Sequence, residues 1–293
     1  AITYYSLVKG GLLDKLALFA ALAFSAQKIL PYLAQIFHAI SKCRGHYYNV
    51  NSVINFIISL DSNTFSLSEK NKSITFNNIL ELKNINFSYL KKNLFNKLNL
   101  KIKKNKKILI KGSSGIGKST LFNLIFGFVK FQEGIIKIDN KIVTKENLIY
   151  FRKNISYVPQ DVFLCEGTIS ENIALGIKNN KIDYERIKKC LKIAEFQEIL
   201  LKKNGFDYKI NYGGNNLSSG QKQRIGLARA LYFKPKILFL DEATNSLDKI
   251  TEKKVFENLQ SIKNLTLVVI AHKTVNENFF NERYLLKMKK LIK

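Results

Sequence analysis

The 293-residue sequence predicts an α/β fold with a parallel core sheet, and three observations predict it. Short apolar runs of strand length recur: Ile108-Leu-Ile110 after Lys107, Ile237-Leu-Phe-Leu240 and Leu267-Val-Val-Ile-Ala. Such runs suit strands buried on both faces. A helical pattern, Ser119-Thr-Leu-Phe-Asn-Leu-Ile-Phe, follows the first run and is ended by Gly127. Between that strand and its helix lies Gly112-Ser-Ser-Gly-Ile-Gly-Lys118-Ser119, which fits G-x-x-x-x-G-K-[ST].

Each residue type in that loop has a chemical reason. Gly112, Ser113, Ser114, Gly115, Ile116 and Gly117 offer backbone N–H groups to an anion, and Lys118 adds a point charge for the β- and γ-phosphates. Ser119 and Thr120 open the helix, whose dipole favours negative charge, and the Ser119 hydroxyl suits Mg²⁺. The expected ligand is a nucleoside triphosphate with Mg²⁺. Asp241 and Glu242 stand at the carboxyl end of the second apolar run, where open α/β sheets hold ligands. Asp241 is the candidate Mg²⁺ ligand, and Glu242 the candidate to polarise an attacking water. Alone, the pair would read as a helix cap; the upstream phosphate loop favours catalysis.

Leu217-Ser218-Ser219-Gly220-Gln221, followed by Lys-Gln-Arg224-Ile-Gly-Leu-Ala-Arg229, resembles the signature of the ATP-binding cassette (ABC) proteins. Asp241 stands 24 residues after Leu217, and His272 stands 30 after Glu242, both ordinary spacings for that family. The resemblance covers roughly residues 80–290. It implies an ABC-type phosphate-loop NTPase with an antiparallel β subdomain and a helical subdomain. The strand-rich segments Leu82–Tyr89, Leu98–Ile102 and Ile135–Asp139 and a helical insertion at about 169–216 suit that plan.

The resemblance also implies roles. Gln160 looks like the Q-loop glutamine, a metal ligand that also serves catalysis, and Ser246-Leu-Asp248 resembles the D-loop. Tyr89, 23 residues before Gly112, resembles the aromatic that stacks on adenine, and His272 resembles the γ-phosphate sensor. In the family, Ser218, Ser219, Gly220 and Gln221 would close over ATP held by a second subunit. One copy of each motif thus implies a homodimer or a paired half-transporter. Two positions depart from the family pattern: Ser219 replaces a glycine, and Tyr212 stands where exporters carry Glu.

Residues 1–60 are read as the end of a transmembrane domain, 61–79 as a linker and 80–293 as the ATP-binding domain. Leu16–Gln27 is uncharged, and Ile29–Ile40 is apolar apart from Pro31, Gln35 and His38. The segment from Leu30 to Ser41 looks like the last membrane helix of an ABC exporter, with Lys28 and the polar side chains facing the bundle interior or its water-filled path. Lys42 and Arg44 would lie on the cytoplasmic side. A buried helix of a soluble domain is the other reading. The expected location is the inner (plasma) membrane, with the ATPase in the cytoplasm. The only Met is Met288, so the chain reads as cut from a longer protein, and no signal peptide is visible. The signature region is similar to exporters of lipids or lipid-linked sugars.

The formal net charge is +26. A soluble ABC ATPase acting on nucleic acid is the alternative function. However, the lysines are dispersed and no basic–aromatic platform stands out, so no nucleic-acid partner is expected. Cys43, Cys165 and Cys190 lack metal-ligand spacing and read as reduced thiols. The signature departure can be tested directly. Serine is small and donates a hydrogen bond, so Ser219→Gly should leave steady-state ATPase within about threefold, a barrier change under ~0.7 kcal/mol.

Overall fold

Residues 12–61, 74–89, 92–201, 204–271, 276–287 and 290–292 are described by the computed structural model. They fall into two units, Ala1–Ser68 and Glu69–Lys293. In the first, α1 (Leu12–Asp61) is a single helix of 50 residues with Pro31 inside it. Its described side chains are all exposed, Phe19, Leu22, Phe24, Leu30 and Phe37 among them. The expected helix is therefore present and longer than its predicted segment. The apolarity expected of a membrane helix is lacking: among the described residues no helix is long and apolar enough to cross a membrane. Lys28, Pro31, Gln35 and His38 dilute the apolar stretch. Lys28 itself holds its Nζ 4.8 Å from the centre of the Phe24 ring. Most of the expected linker, residues 62–73, lies outside the described residues.

The second unit starts with two long strands, β1 (Ile79–Tyr89) and β2 (Lys92–Lys103). The short β3 (Lys107–Lys111) then leads through the glycine-rich loop into α2 (Lys118–Ile125). Next come β4 (Glu133–Ile138), β5 (Lys141–Ile142), α3 (Leu148–Arg152) and β6 (Ile155–Val158). The helical insertion comprises β7 (Gly167–Thr168), α4 (Ile169–Ile173), α5 (Tyr184–Ile193) and β8 (Lys209–Ile210), with β7 and β8 paired antiparallel. After it follow α6 (Ser219–Tyr232), β9 (Ile237–Asp241), α7 (Lys249–Ser261), β10 (Thr266–Ile270), β11 (Glu282–Lys287) and β12 (Lys290–Ile292).

Two sheets organise these elements. The smaller is antiparallel in the order β2-β1-β4-β5, which is the expected β subdomain. The larger runs β12-β11-β3-β10-β9-β6 and is parallel except at the β12 edge. Its central strands are buried on both faces because their side chains alternate between two cores. Leu238 and Leu240 of β9 join the core on the helical side with Leu109, Leu267 and Val269. Ile237 and Phe239 join the other core, with Ile108, Ile110, Val268 and Ile270. Phe239 packs edge-on against Phe122 and Phe126 of the α2 region, ring centres 4.9 and 5.0 Å apart. Each such ring removed from water contributes on the order of 1.5–3 kcal/mol.

Asn154 ties the start of the second unit to this sheet. Its Nδ2 donates to the carbonyls of Ile74 and Tyr150, both at 2.9 Å, and its Oδ1 accepts from the Phe76 N–H at 3.2 Å. Asn154→Leu would bury that carbonyl and N–H unpaired. The expected cost is about 2 kcal/mol, a melting midpoint lower by roughly 4–8 °C in thermal unfolding. A midpoint within 1 °C or so of the parent would show that the network adds nothing.

Candidate functional site

Four segments leave the parallel sheet at one edge because the strands are in register there. Ile110 of β3 pairs with Ile270 of β10, Ile270 pairs with Asp241 of β9, and Leu240 pairs with Val158 of β6. The carboxyl ends of the four strands therefore coincide, which brings the glycine-rich loop, the Asp241–Glu242 pair and Gln160 to one place. A cleft of about 220 Å³ lies there, lined by Leu94, Ser114, Gly115, Gly117, Lys118, Ser119, Thr120, Gln160 and Glu242. Apart from Leu94, all of these were expected from sequence.

The loop is shaped for an anion. Gly117 precedes α2 at φ 106°, a left-handed conformation that favours glycine. A Cβ there would also stand 3.2 Å from the Phe95 ring. No side chain caps α2 and no acid occupies its first turn. Its first N–H groups and positive dipole end thus remain for a ligand. Lys118 is buried beside them; its Nζ donates to the carbonyls of Gly112 and Ser113, both at 3.0 Å, and lies 3.8 Å from Glu242 Oε1.

Glu242 is held at both ends. Its N–H donates to the Ile270 carbonyl at 2.9 Å, and its Oε2 accepts from Asn245 Nδ2, also at 2.9 Å. Its φ of 52° lies in the left-handed region, which costs a non-glycine residue about 1–2 kcal/mol. Strain of this kind aims a side chain that the regular strand would point elsewhere.

Asp241 is only 3% exposed, and its two oxygens differ. Oδ2 accepts from the Tyr157 hydroxyl at 3.1 Å, whereas Oδ1 is buried with no protein partner. Burial pushes its carboxyl pKa up, against the hydrogen bonds from Ser119 and Tyr157 that pull it down. Burial, with the neighbouring Asp241 charge, likewise raises the Tyr157 phenol. An orphaned carboxylate oxygen beside a serine hydroxyl fits Mg²⁺, which keeps most of its positions for phosphate and water. Among the described residues no group of three or more His, Cys, Asp and Glu could hold a metal. A single-carboxylate site of this kind does not require one.

The other expected residues lie elsewhere. Tyr89 ends β1 with 60% exposure, its ring edge-on to Phe87 at 6.1 Å, and does not line the cleft. Ser218, Ser219, Gly220 and Gln221 do not line it either. Ser218 is the cap of α6 and Ser219 its first residue, and Ser218 and Gln221 satisfy each other's backbone N–H groups in a capping box. Tyr212 is exposed, its ring edge-on to exposed Phe163 at 5.5 Å. His272 lies outside the described residues. Tyr157, Asn245 and Gln223 are polar partners of the site that sequence reasoning missed. Only Tyr157 had a visible signal, a phenol in a buried strand three residues before Gln160.

Comparisons with known proteins agree with this geometry. The ABC transporter family matches residues 95–245. An export ATP-binding/permease protein of Rickettsia bellii is 41% identical over 198 residues, 66% of this chain and 34% of that protein. Another, from Rickettsia typhi, is 35% identical over 276 residues, 92% of this chain and 44% of that protein. The lactococcin-A transport/processing ATP-binding protein of Lactococcus lactis is 36% identical over 196 residues, 66% of this chain and 27% of its own length. The chain thus spans less than half the length of each of these relatives. Among solved structures, a bacterial Atm1-family ABC exporter with ATP bound superposes with a TM-score of 0.71 at 28% identity, over 75% of this chain and 39% of that one.

The raised Asp241 pKa gives a signed prediction. A carboxyl held above its unfolded value destabilises the fold only when ionised, so the cost is absent below the unfolded pKa and complete above the folded one. Asp241→Asn should therefore melt about 1–4 °C above the parent at pH 7.5, and the gap should close as the pH falls through the carboxylate range. The same variant should lose the dependence of nucleotide binding on Mg²⁺. A variant less stable than the parent at pH 7.5 would contradict the burial argument.

Proposed function

Because the chain belongs to the ABC transporter family, whose ATP-binding domains hydrolyse ATP, we propose that it is the ATPase part of an exporter that drives transport by closing and reopening a nucleotide-bound dimer. The observation that supports this most is the cleft itself: an uncapped helix start, Lys118, Gln160 and Glu242 meet in about 220 Å³. The family signature, Ser218–Gln221, lies outside that cleft. A second copy, or a related half-transporter, would supply it to each site. The relatives' names speak of export and of lactococcin transport, and the three reported name no lipid.

In this reading the 112–120 segment cradles the phosphates with backbone N–H groups, and Lys118 neutralises charge on the β- and γ-phosphates. Asp241 Oδ1, the Ser119 hydroxyl and Gln160 hold Mg²⁺, which when bound supplies charge neutralisation to the transferring phosphoryl group. Glu242, fixed by Asn245 and its own backbone, orients the water. Tyr89 stacks on adenine, and His272 contacts the γ-phosphate. Helix α1, which exposes large apolar side chains such as Phe19, Leu22, Phe24 and Phe37, packs with the permease portion of the complex at the inner (plasma) membrane. The ATPase faces the cytoplasm, where ATP is available. Tighter binding of ATP by the closed dimer than by the open one is what can move that portion.

Two substitutions test this reading. Lys118→Ala should abolish tight Mg-ATP binding with little change in melting temperature, because its pairing with Glu242 is one interaction among many. Glu242→Gln should keep ATP binding, lose hydrolysis by about 10²–10⁴-fold, and accumulate as an ATP-bound dimer in sedimentation. Near-normal turnover, or a monomer at saturating ATP, would overturn the assignment.

A further inference from the structure

One face of α6 meets two loops of the site at once. Gly220, Gln223 and Gly226 stand three residues apart along the helix, hence on one side of it. A Cβ at Gly220 would stand 2.9 Å from the Ser246 carbonyl oxygen, and one at Gly226 only 2.7 Å from Val162 Cγ2. The helix backbone therefore lies directly against the loop after Glu242 and the loop after Gln160. Between these two approaches, Gln223 is 5% exposed and uses both ends of its amide. Oε1 accepts from the Ser246 N–H at 3.1 Å, and Nε2 donates to the Gln160 carbonyl at 3.4 Å. Ser246 adjoins Asn245, whose side chain holds the Glu242 carboxylate.

We propose that Gln223 is a positioning residue for ATP hydrolysis, its amide fixing the spacing of the Gln160 and Ser246 loops so that Gln160 and Glu242 face the same phosphate. The proposal rests on the roles assigned to those two residues above. A primary amide suits the task because it offers a donor and an acceptor from one rigid plane. Burial of the Gln223 side chain limits competition from solvent for both bonds. Losing the amide leaves the Ser246 N–H and the Gln160 carbonyl unpaired, and the two loops free to drift apart. A drift of about 1 Å at a reacting centre is enough to cost up to 10²-fold in rate.

The test is a kinetic series on the whole chain with Mg-ATP. Gln223→Leu preserves size and removes both hydrogen bonds; Gln223→Met repeats the loss with a more adaptable side chain. Both are expected to lower kcat at least tenfold per ATP-binding site while KM stays within threefold. In a Gln160→Ala background, Gln223→Leu should cost less than a further threefold, because a spacing between two groups has no value once one is absent. A kcat within twofold of the parent in either single variant, or losses that multiply fully in the double variant, would overturn the proposal. Glu242→Gln in the same series reports separately on the site. If it turns over normally, the role of Glu242 falls, while Gln223 is still judged by its own kcat and by the Gln160 cycle.

Discussion

The site depends on the register of four parallel strands. With β3, β10, β9 and β6 ending level, a phosphate-binding loop, an acidic pair and Gln160 share one edge. Side-chain pattern alone does not fix this register. The first four residues of β9 are apolar on both faces, so among them a one-residue slip would only exchange Ile237 and Phe239 for Leu238 and Leu240. Polar chemistry at the strand ends pins it instead. The N–H groups of Lys236 and Ile237 both donate to the Asn154 carbonyl, and Glu242 N–H donates to the Ile270 carbonyl. Tyr157 reaches Asp241 across the same edge.

The edge is locally unfavourable, and the rest of the domain offsets it. Asp241 buries an unpartnered oxygen, α2 begins without a cap, and Glu242 adopts a strained backbone. Elsewhere the same polar groups are satisfied. The helix starts at Thr168 and Ser218 carry complete capping boxes, and Asp248 accepts from two N–H groups at the start of α7. The unpartnered Asp241 oxygen and the uncapped start of α2 thus meet at the place where phosphate and a cation would supply their partners. The two apolar cores flanking the sheet hold these features in position.

Legibility from sequence followed the range of the interactions. The phosphate loop, the acidic pair and the buried strands are local patterns, and each was readable from a few consecutive residues. The antiparallel subdomain was readable as strands but not as an order, because pairing β1 with both β2 and β4 is a long-range choice. Asn154, Asn245 and Gln223 were invisible because each is defined by partners far along the chain or by a turn geometry. In α1, the sequence suggested a helix correctly, but mean apolarity and helix length are separate properties, and Lys28 and Pro31 do not stop a helix that continues to Asp61. Tyr89 illustrates a third case, since the expected partner is adenine, and within the described residues its ring meets Phe87 edge-on, which says nothing of a base.

The pairing of Lys118 with Glu242 has a consequence for the timing of the chemistry. A cation shared among a carboxylate and two carbonyls, Gly112 and Ser113, is held at the mouth of the loop and needs little reordering when a polyanion arrives. The incoming phosphates compete for that ammonium, and each step of their success weakens its hold on Glu242. Contact of Lys118 with phosphate would therefore come at the expense of its contact with Glu242. The lysine would then act as a latch between loop and carboxylate, opened by the anion that the loop receives.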